Sequence, residues 1–481
     1  MAVNIRRNFI YNSLLTVANY IFPLITYPYV SRVLGVSNIG ICNFVDNIVN
    51  WFIVFSTMGI FVIGVREIAA VRSGKQERSE VFSSLLALNG LMTLAAAAVL
   101  TVAIFVVPKL AAYRSLLFLG VAKLIAHSLS LEWFFRGLEE FKYITNRSII
   151  IKTLYVVAVF LFVRQAEDYG VYYLLLTLAV VANTLVNVRY ARRYVSFSLK
   201  GVDLGRFAAP FFILGFNYIL TSFYSTLNVI YLGFVQGAEQ VGYYTSATKI
   251  LTIVTALISA FTTVMLPRMS AVLTDGKLEE FRTYVNNAFR ILFLVGIPGV
   301  FLLFTLSPDI VRVISGAGYE GAVVPMRIVA PMLLISGLDQ ILIMQIMMPM
   351  KQDRQILVNS AIGAAVGILL NLALVRSMGA KGSAVVWLCA EVAVCIAAMT
   401  VVFGKDQVAF PGRNVLKMVL LYLPLLLALY WIGTVPMGNS FIRLGVAGGF
   451  TFVYFAVVSC WILKDPLVLG LIRHPEVKEV Q

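Results

Sequence analysis

The chain has 481 residues, of which 60% are hydrophobic and 13% charged, and its mean hydropathy is +0.90. A soluble protein of this length cannot bury so much apolar surface, so the composition excludes a soluble enzyme or binding module. The net charge of +15 comes from small groups of Lys and Arg between apolar runs. This distribution is typical of membrane proteins and unlike the single basic patch of a nucleic-acid-binding protein. We therefore predict an all-α integral membrane protein with no nucleic-acid partner.

Charged and Gly/Pro-rich points divide the chain into fourteen apolar runs, each long enough to cross ~30 Å of hydrocarbon as a helix. Arg6 and Arg7 precede the first run, which is longer than the apolar region of a signal peptide and lacks a cleavage site, so we expect it to be retained. The predicted spans are 9–31, 39–64, 83–107, 113–134, 144–163, 169–190, 207–232, 241–266, 286–306, 323–348, 355–375, 381–403, 414–433 and 440–463.

Basic residues alternate between the two sides of these spans. With the N-terminus in the cytoplasm, 27 of the 38 Lys and Arg residues fall on the cytoplasmic side and nine on the opposite side. This excess follows the positive-inside rule and predicts that both termini are cytoplasmic. Arg32 then falls on the outer side.

Residues 202 positions apart match in both halves of the chain. A duplication of six helices would give both copies the same topology, related by an axis along the membrane normal. We predict an N-terminal lobe at 1–200 with spans 1–6, a C-terminal lobe at 201–404 with spans 7–12, and an appended segment at 405–481 with spans 13 and 14. Two pseudo-symmetric bundles would leave a cleft between them. The matching pairs include Phe9 and Phe211, Tyr29 and Tyr231, Gly40 and Gly242, and Arg66 and Arg268.

Polar residues recur on one face of spans 1, 2, 7 and 8, because they are spaced three or four positions apart. Polar groups are costly in hydrocarbon, so we expect these faces to line a water-filled cleft. The alternative is that they only join helices through hydrogen bonds. The candidate lining residues are Asn12, Thr16, Asn19, Thr26, Asn43, Asn47, Asn50, Asn217, Thr221, Tyr224, Asn228, Thr245 and Thr252.

Cations also fall within the predicted membrane region. Lys123 lies about ten residues, or ~15 Å, from either end of span 4, which is too far for its stem to reach the interface. His127 follows one turn later, and Lys249 lies on the polar face of span 8. Cations and amides together suit a substrate with phosphate and hydroxyl groups, and Arg32 would lie at the outer mouth of the cleft.

The alternatives for these cations stay open: a structural ion pair for Lys123, a core histidine for His127 and contact with lipid headgroups for Arg32. The carboxylates within the spans are the candidates for ion coupling. They are Asp46, Asp339 and Glu391.

Nothing in the sequence indicates an enzyme, a cofactor or a metal site. The segment GAGYEG at 316–321 fits a dinucleotide-binding pattern, but it lies between two predicted spans with no preceding strand. The chain has two histidines without a nucleophile–base arrangement, and its four cysteines lack the spacing of metal ligands.

Three segments resemble the Wzx-type polysaccharide flippases of the MATE/oligosaccharidyl-lipid/polysaccharide (MOP) exporter superfamily, and the resemblance spans all fourteen predicted helices. It implies a MATE-like V-shaped pair of six-helix lobes in a bacterial inner membrane. It also implies alternating access that moves undecaprenyl-diphosphate-linked oligosaccharides, of O-antigen, capsule or exopolysaccharide type, from the inner to the outer leaflet. The segments are PYVSRVLGVSNIGICNF at 28–44, YLGFVQGAEQVGYYTSATKI at 231–250 and ISGAGYEGAVVPMRIVAP at 314–331.

The resemblance also implies contacts with membrane lipids and with polysaccharide polymerase and export machinery, and it raises coupling to protons or cations. Two other functions stay open. A MATE-like multidrug or cation antiporter would favour acidic and aromatic cavity residues, whereas a membrane scaffold for glycan assembly would need no water-filled path.

Overall fold

The computed structural model describes residues 5–198, 201–404 and 409–464. Within these ranges, the side chains of residues 5, 6, 9, 217, 218, 221, 224, 225, 256–261, 263, 264 and 267 are outside the described part. The described backbone consists of helices and their connections and contains no β-strand. The predicted all-α fold is therefore confirmed.

The helices are long, and several are interrupted. Segments of π-helix, Gln340–Met347, Asn371–Val375 and Val458–Ile462, directly follow three of them. In chain order the α-helices are α1 (Ile5–Thr57), α2 (Ile60–Ala70), α3 (Lys75–Val106), α4 (Pro108–Ala111), α5 (Arg114–Ser128), α6 (Glu132–Gly137), α7 (Phe141–Phe162), α8 (Tyr169–Ala191), α9 (Leu204–Gln236), α10 (Ala238–Thr274), α11 (Leu278–Thr305), α12 (Ser307–Ile314), α13 (Val323–Val329), α14 (Met332–Asp339), α15 (Asp353–Leu370), α16 (Arg376–Met378), α17 (Ala380–Phe403), α18 (Gly412–Thr434) and α19 (Ser440–Val457).

The chain divides into two compact units. The first contains Met1–Ser246, Ser315–Gly321 and Leu357–Ala390, and the second contains Ala247–Ile314, Ala322–Ile356 and Glu391–Gln481. The lobes predicted at 1–200 and 201–404 stay predictions.

Ten helices of the described chain are long and apolar enough to cross a membrane, or eleven if a bent pair is counted as one span. The pair joins Glu320–Val329 to Met332–Met347 at an angle of 42°. Every predicted span falls on a described helix or on an interrupted pair of helices. The prediction of fourteen crossings itself stays a prediction.

The backbone breaks at equivalent positions of the predicted repeat. Gly35 interrupts α1 with φ 74° and ψ 170°, and Gly237 separates α9 from α10 with φ 89° and ψ −179°. These two residues are 202 positions apart, the same offset as the matching pairs in the sequence. Only glycine adopts this backbone conformation without strain. The predicted duplication therefore has the same backbone break between the first two helices of each copy.

The two copies meet closely just after these breaks. A side chain on Gly40 would overlap the carbonyl of Ala238, and one on Gly242 would overlap the carbonyl of Val36. One turn later, the Asn43 amide donates a 3.0 Å hydrogen bond to the Thr245 hydroxyl, and these residues are again 202 positions apart. Residues that are equivalent in the repeat can touch only at the axis that relates the copies. The local pseudo-twofold axis therefore passes between α1 and the start of α10.

Predicted span 4 is not one helix. It breaks between α5 and α6, where Leu131 adopts a left-handed conformation with φ 53°. Side chains of neighbouring helices donate hydrogen bonds to backbone carbonyls at this break. Asn89 donates to the Ser128 carbonyl at 2.9 Å, Thr184 to the Ala126 carbonyl at 2.7 Å, and Asn187 to the Ser130 carbonyl. The break is thus stabilised from α3 and α8.

The core of the first unit lies beside this break. Trp133, Phe134 and Phe135 follow one another in α6 and are almost completely buried against the aliphatic residues of α2 and α3. Burial of each such side chain stabilises the fold by roughly 1.5–3 kcal/mol. This packing holds the short helix α6 in place although it has fewer than two full turns.

The glycine crossing gives a direct test of the repeat contact. Gly40→Ala should lower the thermal unfolding temperature in detergent by several degrees, because the new methyl group forces α1 and α10 apart at a cost of about 1–3 kcal/mol. Gly90→Ala is the matched control, since it lies within α3 with no atom near the added methyl group. It should leave the unfolding temperature unchanged or raise it. Equal losses in both variants would contradict the close crossing.

Candidate functional site

A charged network joins α1 to α5 in the first unit. The Lys123 ammonium lies 2.5 Å from one carboxylate oxygen of Asp46 and donates a 3.5 Å hydrogen bond to the Asn50 amide oxygen. The Asn50 amide in turn donates to the other Asp46 oxygen at 3.1 Å. The Lys123 side chain is 12% exposed and that of Asp46 is 27% exposed. The pair is largely withdrawn from solvent, so each charge depends on the other.

Close helix packing brings these groups together. Asp46 and Asn50 are one turn apart on α1, so both face α5. Gly120, one turn before Lys123 on α5, packs directly against the Val49 side chain and leaves no room for a side chain of its own. The short interhelical distance lets the lysine reach the carboxylate.

The polar line on α1 continues toward the start of α10. Asn47 donates to the Asn43 carbonyl at 2.8 Å, and Thr245, which accepts from Asn43, donates to the Val241 carbonyl at 2.7 Å. Of the predicted polar face on span 2, Asn43, Asn47 and Asn50 therefore form part of one run that ends at Lys123. The run leaves amide groups partly accessible along its length.

Two cations outside the predicted candidate site donate hydrogen bonds to the polar face of span 1. Arg136 donates to the Asn12 amide oxygen at 3.4 Å and pairs with Glu132 at 2.9 Å, whereas Lys152 donates to the Asn19 amide oxygen. The signal for Lys152 was its position well inside predicted span 5. Arg136 falls just after span 4 and carried no such signal.

The two threonines of this face behave differently from its asparagines. Thr16 bonds the Asn12 carbonyl at 2.9 Å, and Thr26 bonds the Phe22 carbonyl at 3.0 Å. Both hydroxyls therefore donate to backbone carbonyls of their own helix and not to another helix or a cleft. Thr26 is also buried.

The remaining candidates of the first unit lie apart from the Lys123 network. Arg32 is exposed and donates to the Pro28 carbonyl at 2.5 Å. Asn228 is completely buried and donates to the Tyr244 hydroxyl at 3.1 Å and to the Ser383 carbonyl at 2.9 Å, so it packs between helices.

His127 borders a cavity of about 460 Å³ at the two helix breaks of the first unit. Asn89, Ser130, Glu132 and Trp133 also line this cavity, together with the residues between α1 and α2. The cavity therefore combines a histidine, a carboxylate, hydroxyls and an amide next to irregular backbone. Such combinations are frequent at the ligand sites of membrane transporters.

The second unit holds the other candidates. Lys249 is half-buried on α10, and Thr252 is exposed and bonds the Thr248 carbonyl at 2.8 Å. Asp339 is 7% exposed, and the Glu391 carboxyl and the Cys395 thiol are its polar neighbours. The side chains of Asn217, Thr221 and Tyr224 lie outside the described part.

Comparison with known proteins identifies the family. Residues 5–273, more than half of the chain, match the family described as polysaccharide biosynthesis protein. The chain belongs to this family. Residues 214–373 also match the MatE family. The curated proteins similar to this chain include an Escherichia coli (strain K12) protein named "Putative O-antigen transporter", which is 26% identical over 72% of this chain and 84% of its own length.

Solved structures show the same fold. The lipid II flippase MurJ in an inward closed conformation superposes with a TM-score of 0.71 at 15% identity, over 95% of this chain and 99% of that chain. An inward-facing multidrug resistance MATE transporter of the MOP superfamily superposes with a TM-score of 0.59 at 14% identity, over 84% of this chain and 95% of that chain. This member of the polysaccharide biosynthesis family is thus a multi-pass membrane protein with the MOP transporter fold.

A mutant cycle tests the ion pair of α1 and α5. Lys123→Met should destabilise the protein by roughly 2–3 kcal/mol, because it leaves the Asp46 carboxylate partly buried and uncompensated. Asp46→Asn should act in the same direction, and the double variant should recover much of the loss. The measurement is thermal unfolding of each variant in detergent.

The matched control for this cycle is Lys277→Met. Lys277 lies 3.4 Å from Asp275, but their side chains are 59% and 60% exposed. Loss of this exposed ion pair should not change stability measurably. Additive losses in the Lys123 and Asp46 variants would contradict the pairing.

Proposed function

We propose that this protein is a flippase for polyprenyl-diphosphate-linked oligosaccharides of O-antigen, capsule or exopolysaccharide type. It resides in the bacterial inner membrane with both termini in the cytoplasm, and it moves its substrate from the inner to the outer leaflet by alternating access. The match of residues 5–273 to the polysaccharide biosynthesis family carries this proposal. The relative named as an O-antigen transporter and the fold shared with a lipid II flippase support it.

In this proposal Lys123 is the principal contact of the substrate diphosphate. Its ammonium is already neutralised by Asp46 at 2.5 Å, so a phosphate oxygen must compete with the carboxylate for the same donor. Exchange of one oxyanion for another keeps Lys123 paired throughout and avoids the cost of a bare cation. Lys249 and Arg32 supply further positive charge, and His127 adds a donor.

The sugar follows the amide groups. Asn amides donate and accept hydrogen bonds at once, as sugar hydroxyls do, so the run from Asn50 through Asn47 to Asn43 suits a carbohydrate. The polyprenyl tail stays in the hydrocarbon because no polar group of the protein favours it.

Carboxylates provide the route for ion coupling. When phosphate displaces Asp46 from Lys123, the released carboxylate must take up a proton or another cation to remain in its partly buried position. Asp339 and Glu391 form a second candidate for proton uptake, because Asp339 is buried beside the Glu391 carboxyl and a shared proton removes the repulsion between the two groups.

A drug or cation antiporter is the second candidate function, and the match of residues 214–373 to the MatE family favours it. An antiporter of organic cations would require an uncompensated carboxylate in its path. In the first unit Asp46 is instead paired with Lys123. The charged network of the first unit therefore favours an anionic substrate.

Transport by charge-removal variants tests the proposed function. The double variant Lys123→Ala with Lys249→Ala should abolish flipping of a fluorescent polyprenyl-diphosphate oligosaccharide in vesicles, because the diphosphate loses its cations. Flipping is measured as protection of the label from a membrane-impermeant quencher, and circular dichroism verifies folding.

The matched control is Lys75→Ala with Lys277→Ala, which removes the same charge at exposed positions 202 residues apart. It should flip the substrate as the parent protein does. Full flipping by the Lys123 and Lys249 double variant would refute the cation assignment. Export of drugs by cells that express the protein, without flipping of any lipid-linked sugar, would establish the antiporter instead.

A further inference from the structure

A groove runs between the start of α7 and the end of α8 in the first unit. We call it the α7–α8 groove; its volume is about 460 Å³. This end of both helices carries the Lys and Arg excess found in the sequence. The groove plays no part in the proposed transport path, and the Lys123 network lies on other helices. The residues that matter for its chemistry are Lys142, Tyr143, Arg147, Ile150, Val186 and Tyr190.

Its inner wall holds a buried cation that forms no salt bridge with any described residue. Arg147 is 8% exposed and donates to the Asn187 amide oxygen and, at 3.0 Å, to the Ser148 hydroxyl. Both partners are neutral, and the third guanidinium nitrogen, Nε, has no partner. No described residue neutralises Arg147 by direct contact; the Glu132 carboxylate acts on it only through space and is itself paired with Arg136.

Stacked tyrosines hold this charge and a second one at the groove. The rings of Tyr143 and Tyr190 lie parallel with their centres 3.7 Å apart. Arg147 lies over the Tyr143 ring, 5.7 Å from its centre, and Arg193 lies over the Tyr190 ring, 5.2 Å from its centre. Cations over aromatic faces are attracted to the ring electrons, so the stack fixes two positive charges at this end. Lys142 adds a third at the mouth.

One carboxylate also lines the groove, but another bond occupies it. Glu140 accepts a 2.9 Å hydrogen bond from the Tyr194 hydroxyl. Burial, the neighbouring Tyr190 and Glu140 itself raise the pKa of Tyr194 well above its usual value. Tyr194 lies beyond the end of α8 and therefore stays protonated and donates to Glu140 at neutral pH. Positive charge prevails in the groove.

The opposite end of the groove is apolar and open. Ile150 is 59% exposed, Leu154 63% and Leu185 65%, and they continue from the basic mouth along α7 and α8. An aliphatic surface exposed on a membrane-spanning helix faces hydrocarbon chains. The groove thus presents cations at one end and an acyl-compatible surface at the other, as an amphiphile with an anionic headgroup requires.

We propose that the α7–α8 groove is a binding site for an anionic glycerophospholipid of the adjoining leaflet. Its phosphate lies between Lys142 and the Arg147 side of the tyrosine stack, and one acyl chain follows Ile150 and Leu154. The apolar half distinguishes this ligand from free phosphate. The anionic surface of the cytoplasmic leaflet supplies such lipids in excess over any lipid-linked sugar. The site is independent of the proposed transport function.

Native mass spectrometry of the purified full-length protein tests the site. The protein should retain phosphatidylglycerol in preference to phosphatidylcholine. Lys142→Ala should lower the phosphatidylglycerol affinity about fivefold, since one basic residue near a lipid surface contributes about 1 kcal/mol. Arg193→Ala should lower it similarly. Arg192→Ala removes the same charge at a neighbouring exposed position that makes no contact with the stack, and should leave the affinity unchanged.

A second variant tests the apolar half without a change of charge. Val186→Trp places a bulky ring in the groove from a position that is 43% exposed, so folding should tolerate it. It should reduce phosphatidylglycerol retention as strongly as Lys142→Ala. Equal losses in the Arg192 and Lys142 variants would show unspecific attraction and overturn the site. Displacement of phosphatidylglycerol by an equimolar polyprenyl diphosphate would likewise overturn it, by assigning the groove to that lipid.

Discussion

Water is absent from the hydrocarbon core of a membrane, so every polar group within a spanning helix needs its partner inside the protein. This constraint explains why Lys123 and Asp46 occur together and why Asn50 bonds both of them. Either charge alone would cost several kcal/mol in that position. The partners lie on different helices, so satisfying them also determines which helices pack side by side. An apolar helix face packs against lipid as well as against another helix, so it does not select a partner. In this protein the polar side chains determine which helices are in contact.

The same constraint governs where the backbone departs from a regular helix. The break between α5 and α6 is stabilised by Asn89, Thr184 and Asn187, whose side chains donate to the backbone carbonyls beside it. A second break separates α1 from α2 next to Gly59, and both breaks border the cavity of His127. Irregular backbone and polar lining therefore coincide in one place.

Much of the fold follows from hydropathy and from the 202-residue repeat. The repeat paired Asn43 with Thr245 and Gly40 with Gly242 from the sequence, and the structure brings both pairs together. The break after α5 could not be predicted, because no glycine or proline occurs there and the side chains that bond it are 39, 58 and 57 residues away. Local sequence patterns do not reveal hydrogen bonds between residues so far apart in the chain.

The candidate site was only partly predictable for a related reason. Hydropathy identifies Lys123 and the carboxylates within spans, but three carboxylates were available as partners. The choice of Asp46 depends on the close approach of α5 at Gly120, which periodicity does not reveal. Arg136 and Lys152 donate to asparagines of span 1 from other helices. Which helices pack side by side cannot be read from the periodicity of one helix, so these partners could not be predicted.

The contact between Gly40 and Gly242 has an evolutionary consequence. Where each residue meets its own counterpart across a twofold axis, the contact has the form of an isologous interface, the type found in symmetric homodimers. A half-length ancestor would have made this contact between two separate chains, and gene fusion would have enclosed it within one polypeptide. Fusion then frees each half to diverge, because Asn43 and Thr245 no longer have to be the same residue to face each other.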